Sequence, residues 1–405
     1  MLSRLVTARD EAAARWVAAR PAVYSVKALL DHALRVYLSS TAVTPASLLR
    51  YPRCPGFRRA RLHSPLTAAL RRRLAGQRPW AALIDGLYGQ GGAVWAADAF
   101  AARLARAYER LAQTLATRPG AGVNVVAPPW EYPHHPDVLR RMGCLRACFV
   151  SGGEGLGGLY LHGSYALGDA VPGYSDLDAL WVLPAEACMD PAALGRARKT
   201  SMACAPHLYS FDRQQHHEWF VLTGFEAHLG DGVYYPPALW REARSLAGKM
   251  TFSVAGSDHD AAGARWALLS LAVRTVESVA ALRIANWYAL KNTLSYVALL
   301  PALGYQARGE ALSKAEAIAR AAEEWDAGGV LALASRLRQE WGEREKGLPG
   351  AAYCRALAFN PHLSRLCGGL RDTTPKWVRQ ALPSDFGARV RAYAAALAEC
   401  RAPES

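Results

Sequence analysis

The run LYLHGSYALGDAVPGYSDLDALWVL, residues 159–183, constrains this chain more than any other. Two apolar segments enclose a polar loop that contains Gly163, Gly168, Pro172 and Gly173. Short apolar runs bounded by glycine and proline predict strands. "GGLYLHG" and "DLDALWVLP" are therefore expected as strands, with "SYALGD" as a helix of one or two turns between them. Side chains alternate across a strand, so Asp176 and Asp178 project to one face. Leu177, Ala179 and Trp181 take the other face, into packing. Beyond the acids, Leu180 and Val182 lie on the carboxylate face, where the sheet is expected to meet a helix.

Two neighbouring carboxylates repel each other, so they need a cation or a proton between them. Magnesium suits them, being a hard ion that prefers oxygen and accompanies phosphate-bearing substrates. Gly163 has no side chain and lets the backbone approach a ligand closely. Ser164 opens the short helix, whose first N–H groups favour phosphate. A metal held by two acids beside an anion cradle points to a nucleoside triphosphate.

These residues resemble the nucleotidyltransferase superfamily typified by DNA polymerase β. Its motif is an apolar residue, Gly, Gly or Ser, about ten residues, then Asp, one residue, and Asp or Glu. The match falls at Gly163, Ser164, Asp176 and Asp178, and the "GSYALGD" form looks most like the aminoglycoside and minimal bacterial members. The match spans about 25 residues; element order extends it weakly over roughly 136–250. The resemblance implies transfer of NMP from an NTP, with ATP the first choice, to a hydroxyl acceptor with release of pyrophosphate. It implies two Mg2+ ions on Asp176 and Asp178. The alternative is an inactive nucleotide- or RNA-binding module of the same fold.

The family normally needs a third carboxylate. Glu218, ahead of the apolar strand run "HEWFVLTGF", is the first choice for completing the metal site or taking the proton. Asp212, at the end of the apparent strand "HLYSF", is the second, and Glu226 is poorer. His216 and His217 adjoin this position, and His162 precedes Gly163; each could serve as base or phosphate contact, or as a plain strand end. The resemblance also implies a cation on the triphosphate from the helical region. Lys291 is preferred, because lysine is rare here and this one sits in an apolar helix; Arg283 and Lys249 compete.

The chain has 405 residues and a formal net charge of +14, carried mostly by arginine. Codon bias is the bland account of that charge, and attraction to a polyanion the sharper one. The stretch Arg50–Arg78, interleaved with Tyr51, Phe57 and Trp80, could track an RNA backbone. Eight cysteines without a C-x-x-C pair argue against zinc and suit a reducing cytoplasm. The N-terminus carries charges throughout, and apolar stretches are interrupted too early for a membrane span, so no membrane partner is expected.

Helical pattern dominates residues 1–122, including a stripe of Val26, Leu29, Leu30, Ala33, Leu34 and Tyr37. A proline-rich segment around 118–136 reads as a linker. Helices return after about residue 250, with a capping box at Ser313 and Glu316. The expectation is an α+β fold: an N-terminal basic helical region (1–122), a small mixed-sheet nucleotidyltransferase core (123–249) and a C-terminal helical domain (250–405). The acceptor is expected to be a small molecule, a protein hydroxyl or an RNA end.

Overall fold

The computed structural model describes residues 1–39, 65–88, 96–116, 122–131, 135–171, 174–208, 210–212, 220–230, 233, 240–255, 260–280, 287–326, 328–344 and 380–399. Among the described residues the fold is α+β, mostly helical, with two small sheets. The strands are β1 (Gly122–Val126), β2 (Gly158–His162), β3 (Asp178–Leu183), β4 (Phe220–Thr223), β5 (Arg244–Ala247) and β6 (Thr251–Ala255). The larger sheet has the order β4-β3-β2-β5. It is mixed: β2 is antiparallel to both β3 and β5, and β3 is parallel to β4.

The alternation read from the sequence decides which side of this sheet meets what. Leu177, Ala179 and Trp181 are wholly buried in the main core. Phe149, from the helix Pro136–Gly153, meets the Trp181 ring edge-on at 5.2 Å. The Trp181 indole N–H donates to the Leu156 carbonyl at 2.8 Å, so the ring is buried without an orphaned donor. Burying one such large side chain stabilises by about 1.5–3 kcal/mol.

The opposite face differs from expectation. Among the described residues, Leu180 and Val182 pack with Tyr160 against Val125, Phe252 and Val254 of an antiparallel β1–β6 ribbon. Tyr160 and Phe252 rings lie 4.6 Å apart, and Trp240 closes the cluster at 5.2 Å from Phe252. The expected linker thus contributes β1, because its valines find a partner strand at Thr251–Ala255. A second difference concerns "HLYSF". His207 and Leu208 end the helix Pro191–Leu208, and Ser210 and Phe211 form a turn. The helical spacing of buried Leu194, Ala197, Ser201, Cys204 and Leu208 outweighs the short apolar run.

The N-terminal helices are Leu2–Ala19, Ala22–Ser39, Pro65–Leu74, Arg78–Tyr88 and Ala97–Leu115. The six stripe residues expected in Ala22–Ser39 are all buried, but so are Lys27 and Asp31, because several elements pack on this helix and leave only the face of Ala28, His32 and Arg35 more open. The Lys27 ammonium donates to Asp31 and Glu226, each at 2.6 Å, and Tyr108 donates to Asp31 at 2.8 Å. Asp260 makes a second polar tie. It accepts from the Trp16 indole at 2.6 Å, from Arg20, and from the Gly263 N–H at 2.8 Å, where it opens the helix Ala261–Ala280.

The later helices are Trp287–Ala307, Lys314–Glu324, Val330–Arg344 and Phe386–Glu399. Ser313 and Glu316 form the expected capping box. One apolar cluster runs from Leu5 to Ala398 through all three expected regions. Among the described residues no helix is long and apolar enough to cross a membrane.

Candidate functional site

The site begins where β2 ends. His162 is still extended, and Gly163 turns the chain at φ +65°, a conformation that favours glycine. The helix Gly163–Leu167 follows and closes at Gly168 with φ +80°. Trp130 donates its indole N–H to the Tyr165 carbonyl at 2.8 Å, and Tyr165 packs edge-on against Phe211 at 5.2 Å. The turn is therefore fixed from outside. Ser164 is half-buried, with its carbonyl taking the Gly168 and Asp169 N–H groups.

Antiparallel pairing sets His162 opposite Asp178. A Cβ added at Gly163 would fall well inside the contact radius of Asp178 Oδ2. The carboxylate thus occupies space that only glycine leaves open. Asp176 sits just before β3, and both acids are half-buried.

Later helices bring two lysines within electrostatic reach of these acids. The Lys291 side chain, 1% exposed, is ion-paired with Asp212, also 1% exposed. Burial lowers the Lys291 ammonium pKa, but Asp212 and then Asp176 outweigh it, and the net shift is upward. Lys314 feels the same acids. Burial and Arg338 lower its pKa, while Asp176, Asp178 and Asp169 raise it, and the net shift is downward. Lys314 thus feels the charge of both Asp176 and Asp178.

Glu242 adds a further acid near the bend. It is half-buried, and desolvation raises its pKa; His162 and Arg244 oppose the shift, while Glu316 and Asp169 reinforce it. His162 itself lies edge-on to Trp240 at 6.2 Å.

The remaining sequence candidates divide by position. Glu218, His216, His217 and Arg283 lie outside the described residues. Asp212 is joined to the site through Lys291, and its carboxylate is committed to that ion pair. Glu226 follows β4 beyond Thr223, which pairs with Leu183 at the end of β3 away from Asp178; it binds Lys27 there. Lys249 is also at the wrong end of the sheet. Its neighbour Gly248 abuts Gly157, before β2, and its carbonyl accepts from Tyr160 at 2.6 Å. Tyr174, Arg338, Asp169, Glu242 and Lys314 were not singled out from sequence. Of these only Lys314 carried a signal, the same scarcity of lysine that marked Lys291.

Asp178, pressed to the glycine turn, and Asp176, two residues before it, are half-buried hard oxygen donors of the kind that suit a divalent cation such as Mg2+. Among the described residues, no group of three or more His, Cys, Asp or Glu side chains is placed to hold a metal. A scan of protein-family models, a search of curated proteins and a search of solved structures each found no match.

Proposed function

We propose that this chain is a metal-dependent nucleotidyltransferase. The residues around Gly163 and Asp178 form its core, and it moves NMP from an NTP, ATP first among them, to a hydroxyl acceptor. The observation that carries this reading is the seating of Asp178 in the space a side chain at Gly163 would fill, with Asp176 two residues away.

In this reading Asp176 and Asp178 would hold two Mg2+ ions, which would neutralise the triphosphate and lower the pKa of the acceptor hydroxyl. Gly163 and Ser164 approach the β- and γ-phosphates, the glycine by giving room and the serine by donating its hydroxyl. Lys314 and Arg338 add positive charge beside the acids. Glu218, on the sequence argument, takes the acceptor proton. The acceptor oxygen bonds to the α-phosphorus in line, the bond from that phosphorus to the bridging oxygen breaks, and pyrophosphate leaves with the electron pair. Lys291 acts through Asp212 and Asp176 and does not touch phosphate, since its side chain is 1% exposed.

The acceptor belongs to one of three classes: a small hydroxylated molecule, a protein hydroxyl or an RNA end. The net charge of +14 suits RNA, while the "GSYALGD" form suits the other two. The test uses each α-labelled NTP with Mg2+, with and without total RNA, in wild type and in Asp176→Ala/Asp178→Ala. We expect label transfer by wild type and its loss by a factor of about a thousand in the variant. Absence of both label transfer and pyrophosphate release in wild type, or full retention in the variant, refutes the proposal.

A further inference from the structure

The segment that carries Asp176 is held from outside the sheet. Tyr174, two residues earlier, is 7% exposed. Lys291 Nζ lies 5.6 Å from the centre of its ring and Arg338 Cζ 5.7 Å. Trp341 meets the ring edge-on at 5.3 Å. Ser295 hydrogen-bonds to the Tyr174 hydroxyl. Arg338 Nη2 also donates to the Asp169 carbonyl at 3.5 Å, at the near side of the same connection. All four partners belong to the helices Trp287–Ala307 and Val330–Arg344.

A tyrosine close to glycine and proline has little local packing to bury it, so these helices supply the burial. Cations over an aromatic face are attracted by its quadrupole, most strongly when desolvated. Lys291 is desolvated and is itself fixed by Asp212. The chain of contacts runs Asp212, Lys291, Tyr174, and then two residues along the backbone to Asp176.

We propose that Tyr174 is a positioning residue: the Lys291 and Arg338 cations over its ring hold the Tyr174–Asp176 segment and so set where the Asp176 carboxylate stands relative to Asp178. Divalent-ion affinity of the acid pair then depends on the docking of the two later helices. This rests on the metal-dependent reading above, and it casts Lys291 as an anchor of the segment.

Manganese titration of the full-length chain, followed by the electron paramagnetic signal of unbound Mn2+, reads ion binding without turnover. Wild type should bind Mn2+, and Asp176→Asn/Asp178→Asn should lose it. Tyr174→Phe, which keeps the ring, should stay within about twofold of wild type, and Tyr174→Leu should bind about tenfold more weakly. Circular dichroism confirms folding of each variant. A variant that merely loses stability shows a lower melting temperature with unchanged Mn2+ affinity, and that result in Tyr174→Leu overturns the proposal. Should Tyr174→Leu not fold, Tyr174→Met decides: about threefold weaker binding supports the proposal, and wild-type binding overturns it. If wild type shows no Mn2+ binding that depends on the acids, the metal-dependent reading falls first, and this inference falls with it.

Discussion

Lys291 and Asp212 form an ion pair in which each side chain is 1% exposed, although 79 residues separate them. Two charges withdrawn this far from water are costly, and their attraction offsets that cost only while both are present. Lys291→Met alone leaves the Asp212 carboxylate buried and should destabilise by about 3–5 kcal/mol. The double variant Lys291→Met/Asp212→Leu removes the orphaned charge and should recover most of that loss. Urea unfolding midpoints of the four species give the coupling. Equal destabilisation by the single and double variants would contradict the paired-burial account.

Gly163→Ala tests the turn. An alanine at φ +65° costs about 1–2 kcal/mol in backbone strain. The added methyl also displaces the Asp178 carboxylate, whose Oδ2 occupies its place. We expect a folded protein with a modestly lower melting temperature and a loss of nucleotidyl transfer far larger than the stability change explains. Activity that falls only in step with the melting curve would show that the glycine serves the turn alone.

The bend and its acids were legible because their signals are local. Glycine at a strand end, and carboxylates spaced by two before an apolar run, need no knowledge of distant chain. Leu177, Ala179 and Trp181 follow from the same period and are buried as read. β1 was hidden because Val125 is the single buried residue of its strand, and prolines crowd the segment. Tyr174 was hidden because its partners, Lys291, Arg338 and Trp341, lie in helices far along the chain. The Lys27–Asp31 pair has readable helical spacing, yet its third member, Glu226, is 199 residues from Lys27. Amphipathic counting cannot anticipate a helix whose buried face is wide enough to take in Lys27 and Asp31.

Asp260 predicts how firmly the N-terminal helix is attached. It takes hydrogen bonds from Trp16 and Arg20 of the N-terminal segment and from Gly263 at the start of the helix Ala261–Ala280. The stacked rings of Trp16 and Trp266, 5.3 Å apart, lie at the same junction. Asp260→Ala removes the shared acceptor and leaves a buried indole N–H without it, at a cost of about 3 kcal/mol. Trypsin should then cut after Arg9 and Arg15 faster than in wild type, before the remaining chain is digested. Unchanged cleavage at those arginines would mean that apolar packing alone holds the helix.

Lys27 carries a pH signature. Burial lowers its ammonium pKa, but Asp31 and Glu226 outweigh that effect, so the folded value stands above the ordinary 10.5. A lysine raised on folding contributes stability that is fully present below the unfolded pKa and is lost as pH rises through the folded one. At neutral pH, Lys27→Met leaves two buried carboxylates without their cation and should cost about 3–5 kcal/mol. Above about pH 10.5 the wild-type advantage should shrink, because the unfolded chain sheds the proton that the folded chain must hold. Urea midpoints of wild type and Lys27→Met, measured from neutral to strongly alkaline pH, should therefore converge. A gap that stays constant across that range would show that the methylene stem of Lys27, and not its charge, does the holding.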